Sequence, residues 1–215
     1  MKNFFDINGP FMRAMRDLMY LVILNLLTLL CCVPIVTSGA ALATMHYVMM
    51  QMIEGTEGHI AVTYFRQFKA NLKNATPIAL IYIAAALILY FEFHTVDHMK
   101  EHAQIITVCI YAVFFILLSI FVWVFPLTAK FVYSLNGVFH NALYLAVSKL
   151  PRTIIMDAIT VIVPMLLFRV PQLWPLAVII GISLPSYLCA LVYYPVFRRM
   201  IKEKEEHEEE NKENL

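Results

Sequence analysis

The chain has 215 residues, 61% of them apolar and 14% charged, whereas soluble globular domains run at roughly 45–50% and about 25%. With a mean hydropathy of +0.73 and a formal charge of only +1, the composition excludes an ordinary soluble domain and argues against a nucleic-acid partner. The charge is unevenly distributed: seven of the fifteen acids fall in the last thirteen residues, and the basic residues cluster at the ends of apolar segments.

Residues 1–17 form a short mixed-charge lead-in containing Gly9-Pro10. Residues 18–52 carry no Asp, Glu, Lys or Arg and have one polar break, Pro34-Ile35-Val36-Thr37-Ser38-Gly39. The first half, 18–36, meets the roughly 20 apolar residues needed to cross about 30 Å of hydrocarbon. It is too long for a signal-peptide core of typically about 7–15 residues, so an uncleaved span is expected. The second half, 40–52, is short and either spans or re-enters. Thr37 or Ser38 is expected to cap its first turn, and Gly39, Ala40, Ala41 and Ala43 allow a neighbouring helix to approach closely.

Over residues 60–73 a helical period sets Ile60, Ala61, Tyr64, Phe65, Phe68 and Leu72 against Arg66, Lys69 and Lys73, predicting a separate helix lying in the headgroup region. Residues 75–91 and 103–129 read as the third and fourth spans. In 131–148, Asn136, His140, Tyr144 and Ser148 recur every fourth residue, so this stretch is expected to be a second amphipathic surface helix. A fifth span, 153–168, enters through Pro151. The sixth, 170–197, is interrupted by Pro175 and Pro185, and a charged tail follows. Trp123 and Trp174 near span ends suit an interfacial belt. Cys31, Cys32, Cys109 and Cys189 lie in apolar runs without metal-ligand spacing and read as core hydrophobes, with a Cys31–Cys109 disulfide as the alternative.

The expected fold is an all-α integral membrane protein of about six transmembrane helices, the second spanning or re-entrant, with two amphipathic surface helices. It divides into residues 1–17, a bundle over 18–199 and a tail over 200–215. Basic residues orient it. Of the sixteen Lys and Arg, six spans leave only Lys100 and Arg169 opposite the N-terminus, hence fourteen against two. If 131–148 also spanned, the division would be eight against eight. Both termini are therefore expected in the cytoplasm.

Asn25, Pro34 to Ala41, the run Phe65-Arg66-Gln67-Phe68-Lys69-Ala70-Asn71, Phe125-Pro126-Leu127 and Leu150-Pro151-Arg152-Thr153 occur in an order that resembles the YesL family of bacterial membrane proteins. The likeness covers most of the chain up to about Arg199. It implies a multi-pass protein of the bacterial plasma membrane whose genes often lie beside carbohydrate ABC permeases, solute-binding proteins and two-component regulators, and it implies no catalytic residues or cofactor.

Read directly, the residues offer three candidate sites. Asn25, His46 and Asp157 are polar groups inside apolar helices, where such groups are costly and usually paired. Asn25, Thr28, His46 and Lys130 are candidate partners for Asp157. His94, His98 and His102, four apart, would share one helical face and suit either a zinc-like ion or pH sensing; they also fit a solvated turn. Arg66, Lys69, Lys73 and Arg152 read as contacts to lipid phosphates. No Ser-His-Asp order, P-loop, GxGxxG or HExxH is present. The expectation is a non-catalytic accessory or regulatory partner of a carbohydrate permease. The alternative is a small transporter or channel with a polar path near Asp157. Substrate and oligomeric state are not encoded in any motif.

Overall fold

The computed structural model describes residues 10–56, 58–96 and 103–213, and every regular element among them is helical. In chain order these are α1 (Pro10–Cys32), α2 (Ser38–Glu54), α3 (Ile60–Val96), α4 (Ala103–Lys130), α5 (Leu135–Ser148), α6 (Leu150–Arg169), α7 (Trp174–Ile180) and α8 (Ser183–Glu213). Single 3-10 turns at Ile35–Thr37 and Pro171–Leu173 precede α2 and α7.

α1 stops at Cys32 because Pro34 disfavours helical geometry at the residue before it. The turn that follows exposes Val33, Ile35 and Val36. Thr37 and Ser38 do not cap α2 as expected; they serve the other side of the break. The Thr37 hydroxyl donates to the carbonyls of Cys31 at 2.7 Å and Pro34 at 2.8 Å, and Ser38 donates to Ile35 at 2.7 Å. Carbonyls left over at a helix end need such donors where water is scarce.

α2 is the centre of the bundle. Gly39 to Ala41, Ala43 to His46 and Val48 to Met50 are all buried, and Leu42, Tyr47 and Gln51 are half-buried, so most of the helix surface is covered by protein. It packs against α1, α3, α4 and α8. At 17 residues it reaches only about 25 Å, short of the roughly 30 Å of hydrocarbon. The closest approach is at Gly39, where a Cβ would overlap the Ala75 carbonyl oxygen and lie 2.7 Å from Ala79 Cβ. Further down the same pair, Asn71 Nδ2 donates to Thr44 Oγ1 at 3.4 Å. The C-terminus of α2 closes on Gly55, whose φ of 69° is left-handed, and Glu54 pairs with Lys130 of α4 at 3.1 Å.

The expected surface helix over 60–73 is not separate. It forms the first part of α3, a continuous 37-residue helix with Pro77 inside it. Thr63, Tyr64, Asn71, Ala75, Ile78 and Ala79 make one buried stripe at helical spacing, while Arg66, Lys69 and Lys73 stay exposed on another face. Between 80 and 95 no residue of α3 is buried, and over 104–118 Ile110 is the only buried residue of α4. The outer halves of these two helices thus form a hairpin whose sides are apolar and open.

α5 agrees with its predicted pattern. Val138, Ala142, Leu145 and Ala146 pack inward, and Asn136, His140, Tyr144 and Ser148 face out. Ser134 caps it, accepting the Gly137 N–H at 3.3 Å. α6 has proline at its first turn, as expected. The last span is broken near Gly181 and bends by 59° between Pro171–Ile180 and Ser183–Glu203. Four helices, α1, α3, α4 and α6, are long and apolar enough to cross a membrane, and a fifth is counted if this bent pair is one broken span rather than a re-entrant loop. The sixth expected crossing is α2, which at 17 residues falls below that length; both termini lie on one side of the membrane only if α2, packed within the bundle, completes the passage.

All four cysteines are free thiols; Cys31 and Cys189 are buried, and Cys109 is exposed on α4. Trp123, expected at an interface, is wholly buried instead, whereas Trp174 is exposed.

Candidate functional site

The three polar groups expected to share one intramembrane site are buried, but each is held by its own local partners. Asn25 on α1 reaches the break between α7 and α8. Its Oδ1 accepts the backbone N–H of both Ile182 and Ser183 at 3.0 Å, and its Nδ2 donates to the Val178 carbonyl at 2.8 Å. One side chain thus pairs with three main-chain groups left over where the helix breaks, as such a break requires away from water. His46 on α2 lies 3.1 Å through Nδ1 from the Tyr193 hydroxyl of α8, with the rings edge to face.

Asp157 on α6 meets none of its four expected partners. Its Oδ2 accepts a 2.6 Å hydrogen bond from Ser119 of α4, while Oδ1 is buried without a partner. One turn back on α6, Thr153 accepts from Trp123 Nε1 at 3.0 Å and donates to the Ala146 carbonyl at 3.0 Å, tying α4, α5 and α6 together. On the α8 side, Cys189 Sγ is 3.6 Å from both the Met156 carbonyl and Thr160 Oγ1. Lys130, another expected partner, is committed to Glu54.

Ser119, Thr153 and Tyr193 were the participants missed from sequence. Ser119 is the one hydroxyl between Tyr111 and Thr128 in the apolar run of α4, and that isolation was the available signal. Among the histidines, His94 is exposed on the last turn of α3, while His98 and His102 lie outside the described residues. No group of three or more His, Cys, Asp or Glu with metal-holding geometry occurs among the described residues. Arg152 is half-buried at the start of α6, and Arg66, Lys69 and Lys73 are exposed.

A helical bundle with polar side chains paired inside, apolar residues such as Leu30, Ile88, Val108 and Phe168 exposed outside, and several helices long enough to cross a bilayer is the build of a multi-pass membrane protein. Residues 18–93, covering most of α1, all of α2 and most of α3, match the family described as "Protein of unknown function, DUF624". No curated protein and no solved structure matches the chain.

Proposed function

We propose that this protein is a non-catalytic member of the YesL-type group that serves as an accessory or regulatory partner of a bacterial carbohydrate ABC permease, seated in the plasma membrane with both termini cytoplasmic. The observation that carries this reading is the local pairing of Asn25 and His46, which leaves the bundle's outer apolar faces as its largest feature. A transporter requires a continuous polar lining; an accessory protein requires an apolar surface able to dock against permease helices. The resemblance to proteins encoded beside permeases supplies the partner class. Crosslinking and pull-down from native membranes during growth on different glycans should recover permease subunits, and their consistent absence would sink the reading.

The orientation carries its own expected result. A single cysteine placed at Thr95 should label with an impermeant reagent from outside the cell, and one at Lys149, exposed between α5 and α6, should label only once the cell is opened. Labelling of both from the same side would contradict the topology.

Asp157 favours a second reading, a small-solute transporter or channel, because one of its carboxyl oxygens is buried without a partner. Under the accessory reading, Asp157→Asn keeps an acceptor for the Ser119 hydroxyl, so sugar-dependent growth and protein level both stay near wild type. Loss of uptake at unchanged protein level would instead establish the transporter reading.

A further inference from the structure

Lys73 and Asn74 of α3 line a cavity of about 140 Å³ together with Thr128 near the end of α4 and Tyr133 and Ser134 just before α5, with Phe131 in its apolar wall. A water takes about 30 Å³ of liquid, so the space suits about four or five of them, close to the five heavy atoms of a phosphate group. Thr128 already gives its hydroxyl to the Val124 carbonyl. Ser134 accepts the Gly137 N–H through its oxygen and keeps its own O–H to donate. Neither Lys73 nor Asn74 has a side-chain partner among the described residues.

We propose that this cavity is a binding site for a phosphate monoester, its terminal oxygens held by Lys73, Asn74 and Ser134.

The sign of the local charge decides the class of ligand. α3 has no acid before Glu92, and from Ala103 to Met156 the chain has none at all, so every segment that builds the cavity lacks a carboxylate. A cation would find no anionic ligand here, whereas an anion finds an ammonium. Lys69, exposed one turn before Lys73, raises the local potential further. Ammonium, amide and hydroxyl are all donors, and a phosphate monoester offers three terminal oxygens to receive them. The apolar wall lowers the local dielectric and so strengthens each contact. Only the phosphate group fits inside; whatever is esterified to it stays outside the cavity. Once bound, it would fasten the chain entering α5 to α3, which no hydrogen bond or ion pair does among the described residues. Such a site needs no permease, so it stands or falls apart from the accessory role.

Two sources carry this chemistry, a water-soluble phosphate ester and the headgroup of a phosphatidic acid, and the test separates them. The full chain, purified in maltoside detergent, is titrated by isothermal calorimetry with glycerol 3-phosphate, with dihexanoyl phosphatidic acid, and with glycerol as the uncharged control. Saturable binding of both phosphates with similar affinity supports a soluble ester as the occupant. Binding of the phosphatidic acid alone supports the lipid headgroup, and glycerol should not bind. Lys73→Gln should weaken binding about tenfold, the weight of one charge-assisted contact, and Asn74→Leu about threefold, that of a neutral hydrogen bond. Lys69→Gln makes the same charge change outside the cavity lining and should alter affinity by less than about twofold, as a screened surface charge does. All three positions are exposed, so circular dichroism should find the variants folded; either of the first two suffices if the other is not. No binding of either phosphate, equal binding of glycerol, undiminished affinity in Lys73→Gln and Asn74→Leu, or as large a loss in Lys69→Gln as in Lys73→Gln would each overturn the proposal.

Discussion

Replacing Gly39 with valine is expected to lower stability by about 2–3 kcal/mol, the upper part of the range for overpacking a close contact. The cause is local and geometric. A Cβ on Gly39 has nowhere to go: it meets the backbone carbonyl of Ala75, which no rotamer change can move, and Ala79 Cβ at 2.7 Å. Since α2 is enclosed by α1, α3, α4 and α8, pushing it from α3 drives it into other neighbours. Thermal or SDS-induced unfolding of the purified protein in detergent would measure the loss. Gly39→Ala should lie between wild type and valine. Adding Ala79→Gly should restore only part of the difference, because the Ala75 carbonyl stays in place. A valine variant as stable as wild type would show that α2 and α3 do not touch there.

The second large effect is expected at Asn25. Changing it to leucine keeps the apolar volume roughly constant but orphans the N–H groups of Ile182 and Ser183 and the carbonyl of Val178. A buried group left unsatisfied costs about 1–3 kcal/mol, so a total of about 2–4 kcal/mol is expected after partial relaxation of the break. Asn25→Asp keeps an acceptor for the two N–H groups but as a buried carboxylate lacks the donor to Val178; protonated at low pH it regains an O–H donor and should there rank between leucine and wild type. The same unfolding assays decide. A leucine variant within 0.5 kcal/mol of wild type, about the size of an ordinary surface change, would mean that the break satisfies itself.

Helix positions were largely legible in the sequence because lipid imposes a strong pattern. The spans over α1, α4 and α6 and the surface-facing pattern of α5 follow from runs of apolar residues and the placing of charges. The join between 60–73 and 75–91 was not legible. Arg66, Lys69 and Lys73 alter the hydrophobic pattern at that point, and Pro77 suggests a stop, yet the backbone continues through both. A change of environment along a helix resembles a change of helix when only composition is visible. Nor did sequence reveal the polar pairings. Asp157 and Ser119 are 38 residues apart, His46 and Tyr193 are 147 apart, and Asn25 and Ser183 are 158 apart. Local periodicity identified Asn25, His46 and Asp157 as needing partners without saying which groups would meet them, and so suggested a shared site that the folded chain does not assemble.

The long reach of those pairs sets a timetable for synthesis. α1 and α2 emerge from the ribosome first, yet the groups that complete Asn25 and His46 belong to the last helices made. Throughout that interval the earliest segment sits in the bilayer with an amide and an imidazole unanswered, held as a hairpin by the hydroxyls of Thr37 and Ser38. The arrival of α8 is therefore the event that commits the whole chain, and a nascent protein cut short before it should be a preferred target for membrane quality-control proteases.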